Sequence, residues 1–315
     1  MLPKVLNAMG VNRLWLLLDE WSNIPVELQP ILADLICRSL LPAQSVTVKI
    51  AAIEERSRFK RFQEGGDYLG FELGADIAAD VNLDDFMVFG NDEDKAKTFF
   101  GELLFRHVQP HLPADAVFTE REDFIRHAFT QQAAFTELVR AAEGVPRDCI
   151  EVARFAAQKA DSQALSVPLV RAAAKTHYHR DKESAATANE NARELLHWLI
   201  DEVIGKRQAR AFMLQQGAPS QDELIRLLYD ARILHVVRRG VAAKDKPGVR
   251  FNVYSIDYGC YVDLISTARA PQGLLQIEDE RGSSQYVNVP ADSYRSIRSA
   301  ILDLKAFYAR PSRFF

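Results

Sequence analysis

Apolar residues in the first part of the chain alternate between continuous runs and helical spacing. The run Leu14-Trp15-Leu16-Leu17-Leu18 is typical of a strand buried on both faces of a parallel sheet. Residues 26–40 carry apolar side chains at helical spacing, and Pro25 precedes them. The β-branched run 45–53 predicts a second buried strand. Strand, helix and strand in this order predict a βαβ unit with two parallel strands.

A weaker strand near 85–89 and a helix over 94–107 are predicted next, and the pattern then changes to helices alone. These helices are predicted over 121–129, 131–142, 147–160 and 167–178. Between the second and third, Gly144 and Pro146 combine a helix-ending glycine with a helix-starting proline. Short helices joined by short breaks predict a small helical bundle.

The last third predicts a helix at 190–204, a strand at 209–214 and a helix that ends near Tyr229. Ser220 and Glu223 match the capping-box pattern at the start of that second helix. Strands at 233–237 and 250–256 follow, with a last helix at about 292–308. Helix, strand, helix and hairpin is the order of a winged helix. The predicted fold class is therefore α/β plus all-α, with domains at 1–118, 119–182 and 190–315.

Composition excludes several protein classes. The 315 residues are 48% hydrophobic and 26% charged, which excludes a disordered or low-complexity protein. Cys37, Cys149 and Cys260 are far apart and odd in number, so neither a disulfide framework nor a zinc site is expected, and a reducing cytoplasm fits. No apolar run approaches the roughly 20 residues that span a membrane, so a soluble, cytoplasmic protein without a membrane partner is expected.

Two acids directly follow the first predicted strand. Asp19 and Glu20 at the end of a buried strand form the Walker B pattern of P-loop nucleotidases. In that pattern the first acid helps to hold Mg²⁺ and the second polarises the attacking water. The alternative is a core strand that simply meets a polar loop.

Charged residues also follow the second predicted strand. Glu54 stands at its tip, and Arg56 and Arg58 belong to a run of four cations in 55–61. One of these arginines could act as an arginine finger toward the nucleotide of a neighbouring subunit, or the run could be a solvated turn. Arg147, which opens a predicted helix, could reach a γ-phosphate or be an exposed first-turn arginine.

Taken in order, these features resemble the AAA+ ATPases, particularly the initiator type related to the origin-recognition proteins. The resemblance implies a partial parallel-sheet P-loop core, a helical lid and a C-terminal winged helix that binds DNA. It implies ATP and Mg²⁺ as cofactors, with Asp19 and Glu20 as Walker B, Glu54 at sensor 1 and Arg147 at sensor 2. Asp19 would contact the metal, and Asp19 and Arg147 the nucleotide. Glu54 departs from the more usual Asn, Ser or Thr of sensor 1.

The Walker A loop is missing from this pattern. Only 13 residues precede Leu14, and neither Gly65-Gly66 nor Gly205-Lys206 completes the G-x-x-x-x-G-K-[ST] motif. We therefore expect this chain alone to bind ATP poorly or not at all. It is either the latter part of a larger ATPase or a relative that has lost its nucleotide site. A homo-oligomer, or a partner chain that supplies the phosphate loop, is also possible.

A basic hairpin is the second candidate for function, with six Lys and Arg residues from Arg232 to Arg250 opposed only by Asp245. Residues from 190 onward carry a slight excess of basic residues, unlike the acidic remainder. A cationic hairpin can lie along a phosphate backbone, so DNA is the expected partner. The alternatives are a solvated hairpin, and a non-enzymatic regulatory or protein-interaction protein derived from such an ATPase. The candidate nucleic-acid contacts are Gln221, Arg226, Arg238, Arg239, Lys244, Lys246 and Arg250.

Overall fold

The computed structural model has a mixed helical and sheet fold, which divides into two compact units, Met1–Asn82 and Leu83–Phe315. It describes the whole chain apart from residues 1–3, 5, 7, 54–55, 78–80, 82, 84–86, 89–91, 114–117, 208, 218, 220–221, 243–247, 266–275, 279–283, 287–300 and 311–315. The three-domain division stays a prediction.

The first unit is built on the predicted βαβ motif. Strands β1 (Leu14–Leu18) and β2 (Val46–Ile50) are parallel, with Leu14 opposite Val46 and Leu18 opposite Ile50. Helix α1 (Gln29–Ser39) connects them, and its Ala33 and Ile36 pack in one apolar cluster with Leu18, Val48 and Ile50. The expected strand, helix and parallel strand are therefore confirmed.

The prediction that β1 is buried on both faces is wrong. Trp15 is 51% and Leu17 68% exposed, whereas Leu14, Leu16 and Leu18 are half-buried. Alternate residues of a strand point to opposite faces, and α1 covers the face of Leu18. Lys49 lies over the Trp15 ring on the other face, 5.0 Å from its centroid.

The polar stretch after β2 also contains a hairpin that the sequence did not predict. Strands β3 (Lys60–Phe62) and β4 (Tyr68–Gly70) are antiparallel, and Gly65 and Gly66 turn between them with φ of 112° and 95°. Phe59 stacks between Trp21 and Phe71 with centroid distances of 5.4 and 5.1 Å. This aromatic stack attaches the hairpin to the core of the first unit.

The second unit begins with helices. Met87 and Val88 are buried and are not strand residues, while the rest of the predicted strand 85–89 lies outside the described residues. The predicted break at Gly144 is confirmed, because Glu143 and Gly144 adopt positive φ between two helices. The helices are α2 (Glu93–Val108), α3 (Arg121–Ala128), α4 (Gln132–Ala141), α5 (Pro146–Ala160) and α6 (Val167–His177).

Two of the later helices run on as π-helices. Helix α6 continues over Tyr178–Glu183 and is followed by α7 (Ser184–Thr187), and α8 (Glu190–Leu199) continues over Ile200–Lys206. Strand β5 (Ala211–Gln215), helix α9 (Glu223–Asp230) and strands β6 (Leu234–Ala242) and β7 (Arg250–Ile256) come next. The three strands are antiparallel in the order β5-β7-β6. The expected hairpin is confirmed.

The end of the chain differs from its prediction. Strands β8 (Gln276–Glu278) and β9 (Ser284–Tyr286) pair with each other. The last helix, α10, covers only Leu304–Tyr308, and Ile301 instead forms a bridge with Met213 of β5. Residues 292–300 of the predicted helix lie outside the described residues. One continuous apolar core runs from the helical segment into the β5-β7-β6 sheet.

Candidate functional site

The acid pair lies at the carboxyl end of β1. The Asp19 carboxylate accepts a hydrogen bond from the Glu20 backbone N–H at 2.8 Å, and Glu20 is held in the left-handed region with φ of 55°. The Glu20 carboxylate accepts a further bond from Asn23 Nδ2 at 3.1 Å. Both acids are exposed. Because β1 and β2 are parallel and in register, the segment after β2 leaves the sheet at the same edge.

The cations after β2 have different environments. Glu54 lies outside the described residues, so its sensor role stays a prediction. Arg56 is half-buried and Arg58 is exposed. Lys60 is engaged in β3, where its Nζ lies 2.5 Å from Glu72 Oε1. Arg56 and Arg58 are therefore the cations of this run that lie in the segment directly after β2.

Hydrogen bonds join the loop after β1 to the segment after β2. The Trp21 backbone N–H donates to the Ala51 carbonyl at 3.3 Å, and the Ile53 backbone N–H donates to Ser22 Oγ at 2.7 Å. The buried Gln29 side chain contacts both segments as well. Sequence reasoning missed Ser22 and Gln29, and the only available signal was the order of elements, which brings the two loops to one edge.

The described residues fit Mg²⁺ only in part. Asp19 and Glu20 offer carboxylate oxygens, which are the ligands that Mg²⁺ prefers. No group of three or more His, Cys, Asp or Glu side chains able to hold a metal comes together in the described part of the chain. In the described part of the chain, Asp19 and Glu20 are therefore a pair of carboxylates without a third such side chain beside them.

Arg147 lies in the first turn of α5, and its side chain is exposed. The next residue, Asp148, is fully buried. Arg147 belongs to the second unit, whereas Asp19, Glu20, Arg56 and Arg58 belong to the first. The predicted site residues thus lie in two different units.

Asp148 belongs to a buried ionic cluster that the sequence did not reveal. Lys182 Nζ lies 2.8 Å from Asp148 Oδ2 and also contacts Asp257 Oδ2. Arg232 Nη1 lies 2.9 Å from Asp148 Oδ1, and His235 Nε2 lies 3.3 Å from Asp257 Oδ2. We call these five residues the Lys182 cluster. It connects α5 and the π-helix after α6 to the base of the β6–β7 hairpin, where β6 begins and β7 ends.

The charges of this cluster support one another. Burial acts to raise the pKa of Asp148, but the adjacent His177 and the charges of Lys182 and Arg232 outweigh it, so the pKa is held below the usual range. The pKa of Asp257 is likewise lowered, because Lys182 and His235 outweigh its burial. Burial acts to lower the pKa of Lys182, but the two carboxylates outweigh it and raise that pKa. Both acids and the lysine are therefore charged at neutral pH.

A second set of buried polar contacts also connects the helical segment to the C-terminal sheet. Glu137 on α4 is fully buried; it lies 2.5 Å from Arg171 Nε on α6 and accepts a hydrogen bond from Tyr258 Oη at 2.6 Å. Arg210, just before β5, lies 3.6 Å from buried Glu143 at the end of α4. The helical segment and the C-terminal sheet thus meet through buried ion pairs as well as apolar packing.

The basic hairpin presents two exposed arginines, and α9 presents a third. Arg226 on α9, Arg238 on β6 and Arg250 on β7 are exposed, and Arg239 is half-buried. Arg250 Nη1 donates to the Gly240 carbonyl at 3.0 Å. Arg232, which the sequence placed with these cations, instead points inward to Asp148. Gln221, Lys244 and Lys246 lie outside the described residues.

The acid that begins α9 has a structural role. Asp222 Oδ1 accepts from the backbone N–H groups of Leu224 and Ile225 at 2.9 and 3.2 Å, and Oδ2 accepts from Tyr308 Oη at 2.6 Å. The residue that caps α9 is therefore Asp222, and not Ser220 as the capping-box pattern predicted.

No protein-family model, curated protein or solved structure matches this chain. In the described part of the chain, no helix is both long enough and apolar enough to cross a membrane.

Proposed function

We propose that this chain is the part of an AAA+ ATPase of the origin-recognition type that runs from Walker B onward. In this proposal it couples the nucleotide state of a P-loop core to DNA binding through a winged helix. The chain alone lacks a phosphate-binding loop and is not competent to bind ATP tightly. Asp19 and Glu20 act on the metal and the attacking water, with Glu54 at sensor 1. Arg56 or Arg58 reaches a neighbouring nucleotide, and Arg147 contacts a phosphate.

The observation that carries the proposal is the position of charged residues in the first unit, directly after its two parallel strands. Asp19 and Glu20 follow β1, and Arg56 and Arg58 follow the parallel neighbour β2. Ligands of open α/β sheets bind beyond the carboxyl ends of parallel strands, which favours a nucleotide beside the acids. The bonds between the two segments hold the acids and arginines in one region.

The C-terminal sheet supports the DNA-binding part of the proposal. A strand, a helix and a hairpin follow α8, and the first strand pairs with the last in the order β5-β7-β6. We take this order of elements to favour a winged helix, in which α9 would be the recognition helix. Exposed Arg238 and Arg250 on the hairpin and Arg226 on α9 would contact phosphates.

The decisive experiment measures DNA affinity against salt. Fluorescence anisotropy with a short labelled duplex compares the full chain with Arg238→Ala and Arg226→Ala, between about 50 and 300 mM salt. Each substitution should weaken binding and reduce the slope of log K against log [salt] by about one. Arg154→Ala is the matched control, because exposed Arg154 pairs with Glu151 on α5, outside the hairpin. Undetectable binding, or slopes that the two variants leave unchanged, would refute the DNA-binding role.

A non-enzymatic interaction protein is the second candidate. The observation that favours it is the exposed apolar surface of the first unit, where Leu28, just before α1, and Ile31 and Leu35 of α1 are 51%, 48% and 60% exposed. Calorimetry with Mg²⁺-ATP tests the nucleotide part of the proposal. Weak or absent binding by the chain alone is expected, and tight binding would contradict the missing phosphate site.

A further inference from the structure

The Gln29 side chain is buried at the point where the two candidate catalytic segments meet. Gln29 is the first residue of α1 and has no exposed surface. Its Nε2 donates to the Ile24 carbonyl at 2.8 Å and to the Arg56 carbonyl at 3.0 Å. Its Oε1 accepts from the Arg58 backbone N–H at 2.6 Å. One side chain thus bonds to backbone groups on both sides of the site.

The chemistry of the amide group makes this arrangement specific. A glutamine amide has two N–H donors and one carbonyl acceptor, and here both donors and the acceptor are used. The partners also settle the orientation of the amide, because the two carbonyls require donors and the Arg58 N–H requires an acceptor. A carboxylate or an apolar side chain of the same length could not make these three bonds together.

We infer that Gln29 is a positioning residue that holds the acid loop (residues 19–28) and the arginine segment (residues 51–53 and 56–59) at a constant separation. Asp19 and Glu20 lie in the first, and Arg56 and Arg58 in the second. The inference rests on the proposed function, since the separation matters where the acids act on one nucleotide and an arginine of the same chain reaches a neighbouring nucleotide. Ser22 forms a second link between the segments by accepting a hydrogen bond from the Ile53 backbone N–H. The Gln29 amide links them further along the chain, at Ile24 in the first segment and at Arg56 and Arg58 in the second.

Burial explains why the loss of this amide would act on both segments. Without it, the carbonyls of Ile24 and Arg56 and the N–H of Arg58 lose a partner in a part-buried position. Unsatisfied buried polar groups are costly, so the two segments would separate to admit water. The substitution Gln29→Met keeps the length of the side chain but removes every one of these bonds.

Amide hydrogen exchange of the full chain tests this inference. In Gln29→Met, the protection factors of the Ile24, Ile53 and Arg58 amides should fall together by at least about tenfold, which corresponds to the loss of roughly one net hydrogen bond. The amides of β1 and β2 should keep their protection. Gln132→Met is the matched control, because Gln132 is also the first residue of a helix but is exposed. It should leave these amides unchanged.

The variant Gln29→Glu separates positioning from space filling. In its neutral form the introduced carboxyl can donate one bond to a carbonyl and accept one from Arg58. In its ionised form it repels both carbonyls. Burial and the two carbonyls should raise the pKa of this carboxyl above the ordinary value of a glutamate, about 4.3, so protection of both segments should be partly restored at acidic pH and lost as the pH rises through that raised pKa. Gln29→Met should show no such pH dependence. Gln29→Glu also provides a test of the inference if Gln29→Met does not fold.

The inference is overturned if Gln29→Met leaves the protection of both segments within about twofold of wild type, if only one segment responds, or if Gln29→Glu shows no pH dependence. The measurement uses neither nucleotide nor DNA, so it is independent of the proposed function. If wild type binds DNA as expected but Gln29→Met leaves both segments protected, the positioning role alone is refuted. If Gln29→Met lowers the protection of both segments but wild type does not bind DNA, the DNA-binding part of the proposed function alone is refuted.

Discussion

Replacing Lys182 by methionine should strongly destabilise the second unit. The Lys182 side chain is 1% exposed, and its ammonium group lies between the carboxylates of Asp148 and Asp257, whose side chains are 0% and 3% exposed. Methionine fills similar space but leaves two buried carboxylates without the cation between them. Arg232 and His235 still contact one carboxylate each, so the acids keep part of their compensation.

The expected cost is about 3–5 kcal/mol of unfolding free energy, the range for removing one partner of a buried ion pair. Lys175→Met is the matched control on the same helix. The Lys175 Nζ lies 2.5 Å from Asp263 Oδ2, but these side chains are 44% and 67% exposed. Its loss should cost about 1 kcal/mol or less because water screens the pair. The difference between the two variants isolates the effect of burial.

The effect of Lys182→Met should also depend on pH. The pKa values of Asp148 and Asp257 are lowered in the folded protein, so the stability they contribute is complete above about pH 4 and decreases as the pH falls through their folded pKa values. Removing Lys182 raises those pKa values. The two carboxylates of the variant then become protonated at a higher pH than those of wild type, which removes their uncompensated charge. The difference in unfolding free energy between the variant and wild type should therefore narrow as the pH falls below about 5.

Urea unfolding followed by far-UV circular dichroism measures these differences, because most of the described helices lie in residues 83–315. The triple variant Lys182→Met, Asp148→Asn, Asp257→Asn provides the internal check. With the carboxylates neutralised, it should recover a large part of the loss. Equal costs for Lys182→Met and Lys175→Met, or a triple variant less stable than Lys182→Met, would refute the assignment of a charged buried cluster.

Two further substitutions test local features. Gly70→Ala should destabilise the β3–β4 hairpin by about 1–3 kcal/mol, because Gly70 has φ of 111° and a Cβ atom would lie 2.0 Å from the Phe59 carbonyl oxygen. Gly66→Ala, also at positive φ but with nothing within 4 Å of a Cβ, should cost less in the same urea titration followed by tryptophan fluorescence. Asp222→Ala should cost about 1 kcal/mol by removing the cap of α9, whereas Asp222→Asn keeps the acceptor and most of the stability. Equal melting temperatures for the two Asp222 variants would contradict the capping role.

The sequence predicts the elements whose signals are local. Helical spacing located α1 to α6, α8 and α9 to within a few residues, and Gly144 with Pro146 marked the break between α4 and α5. The parallel pairing of β1 and β2 followed from their connection by one helix. The hairpin β6–β7 followed from two β-branched runs around a polar turn. Each of these signals lies within one continuous stretch of chain, the longest being the β1-α1-β2 segment from Leu14 to Ile50.

Contacts between distant residues gave no such signal. Lys182 and Asp257 are 75 positions apart, and Glu137 and Tyr258 are 121 apart. Residues of this kind look like ordinary surface charges in a sequence, so Arg232 was placed with the exposed hairpin cations although it points to Asp148. The exposure of Trp15 was missed for a related reason: apolar residues on both faces of a strand do not show which face is covered.

The position of the Lys182 cluster bears on how the proposed parts would act together. Consecutive residues of a helix point about 100° apart, so Arg147 faces solvent while Asp148 faces the interior from the same first turn. Asp148 is joined through Lys182 and Arg232 to both ends of the β6–β7 hairpin. The ion pairs of this buried cluster resist relative movement of the elements that they connect, because any displacement separates buried charges. Under the proposed function, a phosphate that moves the first turn of α5 through Arg147 would therefore move the DNA-binding hairpin with it.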